Sequence, residues 1–171
     1  MKKTLLIIAL FIALGNVNAQ SDATKEETLD WLNTYLAKYS RQATIESYGN
    51  DFTRYKVRID QYEDGIIYRE LESEKRDDLY AHKMELTFLR LISINQNIDG
   101  DTFIINFYGK DDSVTKKRTC SACGTSTGRE IPFIFSNKSE AERVFKALKH
   151  LFSFYNQKIV FTNNVSDENK F

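Results

Sequence analysis

Between Thr53 and Tyr62 the chain alternates strictly. Tyr55, Val57 and Ile59 are separated by Arg54, Lys56, Arg58 and Asp60. A period of two puts each set on its own side of a β-strand, so this segment is half-buried sheet. Asp64-Gly65 follows as a tight-hairpin pair, because glycine accepts the positive φ that such a turn needs. A second strand is predicted from Ile66 to about Glu74, and Arg76-Asp77-Asp78 reads as loop. His82 to Asn95 is strongly apolar, but its alternation slips phase around Phe88-Leu89. That predicts two short strands, or one strand with a bulge. Asp99-Gly100 marks the next hairpin and leads into Thr102 to Tyr108, and Gly109-Lys110-Asp111-Asp112 is another turn. Val114 to Thr119 and Glu130 to Phe135 are the last two strands, with a polar Gly/Ser/Thr loop between them.

A helix stands on each side of this run. Thr24-Lys25-Glu26-Glu27 has the form of a capping box, and Leu29, Leu32, Tyr35, Leu36 and Tyr39 follow at helical spacing. The predicted helix covers about Lys25 to Tyr39. Ser139-Glu140-Ala141-Glu142 is a second capping box. Behind it Ala141, Val144, Phe145, Leu148, Leu151, Phe152 and Tyr155 form one apolar face, while Arg143, Lys146, Lys149, His150, Ser153 and Gln157 take the other. From about Thr162 the chain is polar and reads as a loose tail.

The expected fold class is therefore α+β. It has an N-terminal helix, a strongly curved antiparallel sheet or partly open barrel of about seven strands, and a C-terminal amphipathic helix closing one open end. The stretch Met84 to Ile94, the Asp99-Gly100 turn, Phe103-Ile104-Ile105, and the strand Ile131 to Phe135 running straight into the capped helix carry a resemblance. This plan resembles the pleckstrin-homology-like superfold over roughly Thr53 to Tyr155. The alternative is a cystatin-like α+β fold, with a curved sheet wrapped on the first helix. The superfold implies little about function. Members that bind phosphoinositides use Lys and Arg in the first hairpin. Here that hairpin, Asp60 to Gly65, is acidic, so that activity is not implied.

The first nineteen residues read as a secretory leader. Lys2 and Lys3 form a basic start, Leu5 to Leu14 an apolar run, and Val17-Asn18-Ala19 a cleavage site. A run of about ten residues is too short to cross roughly 30 Å of hydrocarbon as a helix. The expected layout is a signal peptide at 1–19 cleaved after Ala19, one globular domain at 20–161 and a flexible tail at 162–171. The protein is then secreted or periplasmic. No cysteine follows the cleavage site, so no lipid attachment is expected there. The leader has a bacterial style, so Asn137-Lys138-Ser139 and Asn164-Val165-Ser166 are not expected to carry glycans.

The chain has 24 basic and 24 acidic side chains, and losing Lys2 and Lys3 leaves a small excess of acids. Such a chain has no global field to attract nucleic acid or an anionic membrane. The 12 Phe and 9 Tyr fit core filling and cross-strand pairing.

Chemistry-bearing motifs are few. Cys120-Ser121-Ala122-Cys123 sits in the polar loop. In an exported chain the pair is expected to be oxidised, as a staple that shapes the loop. The alternative is a thiol–disulfide exchange site. That chemistry uses a thiolate held at a helix N-terminus in a βαβ frame, and Gly124 to Gly128 does not begin a helix. His82 and His150 are the only histidines. His82 reads as structural or surface and His150 as lying on the wet helix face, so no metal site is expected. No Gly-x-Ser-x-Gly elbow, phosphate-binding glycine loop or dinucleotide fingerprint is present. The acidic pairs Asp77-Asp78 and Asp111-Asp112 fit turn chemistry. No catalytic residue and no cofactor are expected. The expectation is an exported, non-catalytic domain that binds a protein, peptide or envelope component. Candidate surfaces are the strands near Asp60–Asp64 and the basic helix strip of Arg143, Lys146 and Lys149. The alternatives are a periplasmic redox protein using Cys120 and Cys123, or a carrier of a small apolar ligand.

Overall fold

The computed structural model describes residues 23–40, 54–59, 66–73, 78–97, 100–119 and 124–165. The first helix, α1, spans Lys25–Tyr35 and opens into a π-helical turn, Leu36–Ser40. Its capping box forms in full. The Thr24 hydroxyl accepts from the Glu27 backbone N–H at 3.2 Å, and the Glu27 carboxylate accepts from the Thr24 N–H at 2.9 Å. Leu29, Leu32 and Leu36 point into the core. Trp31, Tyr35 and Tyr39 stack along one flank, with ring centroids 4.3 and 4.1 Å apart.

Nine strands follow among the described residues: β1 Arg54–Ile59, β2 Ile66–Ser73, β3 Asp78–Glu85, β4 Leu89–Gln96, β5 Phe103–Gly109, β6 Val114–Thr119, β7 Thr125–Gly128, β8 Glu130–Phe135 and, after helix α2 (Lys138–Ser153), β9 Val160–Asn164. They form two sheets, ordered β1-β2-β3-β6-β7 and β8-β5-β4-β9. The two orders share a corner. A 3₁₀ turn, Leu86–Phe88, carries β3 over into β4. The turn at 110–113 carries β5 into β6, and Arg129 alone separates β7 from β8. Three long arms thus run through both sheets and bend at one place. The Gly109 N–H donates to the Arg129 carbonyl at 2.7 Å, and the Lys110 N–H donates to the Phe88 carbonyl at 3.0 Å. Gly109 makes room there, because a Cβ would lie 2.1 Å from the Ser113 hydroxyl and 2.3 Å from the Met84 sulfur, and both side chains would have to shift. The phase slip near Phe88-Leu89 is this corner, and two strands result.

Helix α2 lies on the four-stranded sheet. Ile92 and Ile94 of β4, Phe103, Ile105 and Phe107 of β5, and Ile131, Phe133 and Phe135 of β8 meet Ala141, Val144, Phe145, Leu148, Leu151 and Phe152 in one core. Helix α1 packs on α2 and β1, and its π turn touches both β1 and β8. Those are the two ends of the antiparallel meander. The Asn33 side chain also seals the outer edge of β1. Its amide donates to the Ile59 carbonyl at 3.0 Å, and its oxygen accepts from the Ile59 N–H at 2.7 Å.

The architecture is α+β, as expected, with several corrections. The strands pair as two open sheets and no closed barrel forms among the described residues. Nine strands stand where about seven were expected. The polar loop before Glu130 contains β7, whose exposed Thr-Ser-Thr side chains carry no apolar alternation to read. The polar stretch expected as a tail from Thr162 completes β9, which runs parallel to β4. It is held by backbone pairing and by Phe161. The cap of α2 is Asn137, whose side chain accepts from the Ser139 N–H at 2.8 Å. The helix therefore starts before the expected Ser139 box. The hairpin at Asp60–Asp64 lies outside the described residues.

Candidate functional site

The site grows from the alternation of β2. Ile67, Arg69 and Leu71 share one face and are all fully buried. Slipping the register by one residue would turn both Ile67 and Leu71 outward, so the apolar pair holds Arg69 inside. Across the sheet Arg69 stands opposite His82 of β3, and His82 stands opposite Lys116 of β6. Directly paired residues point to the same side, so these three form one row on the inner face. One flanking rung of that face is apolar, Ile67, Met84 and Val114; the other holds Leu71 and Tyr80, with Arg118 of β6 at the register position opposite Tyr80.

A guanidinium stays charged inside a protein. Arg69 has no exposed surface, and its Nε, Nη1 and Nη2 atoms have no hydrogen-bond partner. His82 is 3 % exposed, and its Nδ1 is also without a partner. Burial drives the His82 pKa down to about 3, with the positive charges of Arg69 and Lys116 acting in the same direction. The imidazole is neutral at physiological pH. The Tyr80 ring meets it edge-on at 4.7 Å. The Lys116 stem crosses Gly128, where a Cβ would lie 2.5 Å from its Cε and 2.8 Å from its Nζ. Glycine at 128 is therefore what lets Lys116 lie along the sheet. The acid next in sequence, Glu70, points to the opposite face, where its carboxylate accepts from the Tyr68 hydroxyl. Burial and this neighbouring carboxylate raise the Tyr68 pKa. The row thus presents two cations and a neutral imidazole, with Arg118 in the next rung and apolar residues around them.

The residues singled out in the sequence do not gather here. Arg143, Lys146 and Lys149 are exposed on α2. The Arg143 guanidinium sits 5.4 Å from the Tyr35 ring centre, on the α1 side. The Lys149 ammonium lies over Phe145 at 4.8 Å and is 5.9 Å from Phe161, toward β9. Two of the three are thus spent on aromatic faces of the protein itself. His150 is half-buried, contrary to its expected wet position. Its Nε2 lies 2.8 Å from the Ala23 carbonyl and ties the start of the described chain to α2. Cys120 and Cys123 lie outside the described residues. The described β6–β7 pairing ends at Lys117 opposite Thr125. Asp111 and Asp112 are exposed turn residues, as expected. Asp111 lies 3.6 Å from Arg129, and Asp112 accepts from the Thr127 hydroxyl. Asp77 lies outside the described residues, and Asp78 begins β3. Among the described residues, no group of three His, Cys, Asp or Glu side chains is placed to hold a metal ion. No described helix is long and apolar enough to cross a membrane.

Sequence reading passed over Arg69 and took His82 as a structural or surface histidine. The signal was a charged residue in phase with Ile67 and Leu71, obscured because Ile66 and Ile67 allow either phase. No family model matches this chain, and neither a curated protein nor a solved structure shows significant similarity to it.

Proposed function

We propose that this chain is an exported, non-catalytic binding domain of PH-like plan that takes its ligand on the inner face of the five-stranded sheet. One observation carries the reading: the Arg69 guanidinium is fully buried with none of its three nitrogens hydrogen-bonded. Folding alone gains nothing from such a group, because an unpaired buried charge is strongly unfavourable. A recognition site does gain, because a desolvated cation binds its partner far more strongly than one in water. The PH-like plan draws support from the bent meander, from α2 packed on one sheet, and from the π turn bridging β1 and β8. The leader at 1–19 supports export. In this reading Cys120 and Cys123 staple the β6–β7 loop and perform no chemistry.

Native mass spectrometry tests the proposal on the chain secreted by its host and on the same chain refolded from denaturant. Broad hydrolase and thiol-oxidoreductase screens run alongside. The expected result is a non-covalent adduct on the secreted chain, lost after refolding, with no turnover in either preparation. Reproducible turnover by both preparations overturns the reading.

A further inference from the structure

We infer that Arg69 and Lys116 hold the oxyanion head of a small ligand, a carboxylate or a phosphate, with His82 as a neutral hydrogen-bonding neighbour. The inference rests on the binding reading above and names the ligand's chemistry.

Three observations converge. First, the row is built. Cross-strand pairing aligns Arg69, His82 and Lys116, and Ile67 and Leu71 keep Arg69 inward. Gly128 clears the path for the lysine stem. Second, the unmet hydrogen-bonding capacity matches an oxyanion. The guanidinium offers donors in a rigid fork that fits two oxygens of a carboxylate or phosphate, and Lys116 adds a compact positive charge. The open His82 Nδ1 adds one more hydrogen-bonding site. Third, the row has no carboxylate of its own. Its same-face neighbours on β2, β3 and β6 are Ile67, Leu71, Tyr80, Met84, Val114 and Arg118, none of them acidic. Glu70 is on the other face, with Tyr68. A neutral ligand would leave the guanidinium charge uncompensated, and a cation would be repelled by it.

The free oxyanion and the head group of a larger molecule share this chemistry, and the experiment separates them. Acetate, inorganic phosphate, hexanoate and monohexyl phosphate are titrated into the ¹⁵N-labelled chain after refolding from denaturant has removed any bound ligand, with hexanol as the uncharged control. The Arg69 Nε–H resonance is the readout. A saturable shift with at least one of the anions, and none with hexanol, is expected. Acetate or phosphate matching its hexyl counterpart identifies the free oxyanion; tighter binding of the hexyl compounds identifies a head group. Calorimetry should show binding at least a hundredfold weaker in Arg69→Met and at least tenfold weaker in Lys116→Met. Ligand-free Arg69→Met should melt no lower than the parent, since a buried unpaired charge gives way to an apolar chain. Failure of every anion to shift the resonance overturns the inference. So does anion binding unchanged in Lys116→Met, which also decides the matter if Arg69→Met does not fold. Hexanol binding equally well to parent and Arg69→Met removes the oxyanion while leaving a binding domain. Turnover in the screens above removes the binding domain itself.

Discussion

His82 shows how one side chain can set a protein's response to acid. Its pKa in the folded chain is about 3, against an ordinary value of 6.5. The cause is burial first, then the charges of Arg69 and Lys116. Tyr80 meets it edge-on, and Arg118 stands opposite Tyr80 on the same face. Below pH 6.5 the unfolded chain takes up a proton at this histidine, whereas the folded chain does not until about pH 3. Stability contributed by the neutral imidazole is therefore complete above pH 6.5 and declines as pH falls toward 3. The slope from this one group reaches about 1.4 kcal/mol per pH unit. Denaturant melts between pH 7.5 and 4 should show a shallower acid slope in His82→Gln than in the parent. Identical slopes would mean that His82 is not buried neutral.

At the scale of elements, how much could be read depended on whether apolar side chains or backbone groups held the element. Strands β5 and β8 and the corner between β3 and β4 were legible because Ile, Phe, Leu and Met alternate there with less buried residues. The face of α2 was legible for the same reason. Strands β7 and β9 were not, because backbone pairing does most of the holding and their side chains are largely Thr, Ser and Asn. The site was illegible for a third reason. Alternation is read from apolar residues, and Arg69 and His82 are charged or polar side chains at apolar positions. The α2 cap lay between these extremes. Ser139 fitted a capping box, yet Asn137 has the extended backbone and accepts the Ser139 N–H. Asn137→Ala should then cost about 0.5–2 kcal/mol, and Ser139→Ala distinctly less. Equal losses in denaturant melts would return the cap to Ser139. On the same helix Phe145 is 4 % exposed and faces the sheet core. Phe145→Ala should cost roughly 3–5 kcal/mol. An unchanged melting curve would mean that α2 is not docked on that sheet.

The whole molecule depends on a chain path that returns to the sheet it has left. β8 and β9 occupy opposite edges of the four-stranded sheet, and α2 crosses its face between them. β9 therefore completes a long-range crossover, and parallel pairing with β4 requires one. Its Phe161 stands opposite Ile92, and its ring meets Phe145 at 5.8 Å and Phe152 at 6.5 Å. Removing β9 would expose the backbone edge of β4 and uncover the end of the α2 core together. A chain ending at Ile159 should melt well below the full chain and with lower cooperativity, because α2 would lose the strand that ties it back to the sheet. Phe161→Ala isolates the packing part. Phe161 is half-buried, so its loss should be about half the roughly 3–5 kcal/mol of a fully buried phenylalanine. The truncation should cost more than that substitution, the difference being the backbone pairing of β9 with β4. If the shortened chain melts like the full one, β9 contributes nothing to the fold and the stretch from Thr162 is the loose tail that its composition suggests.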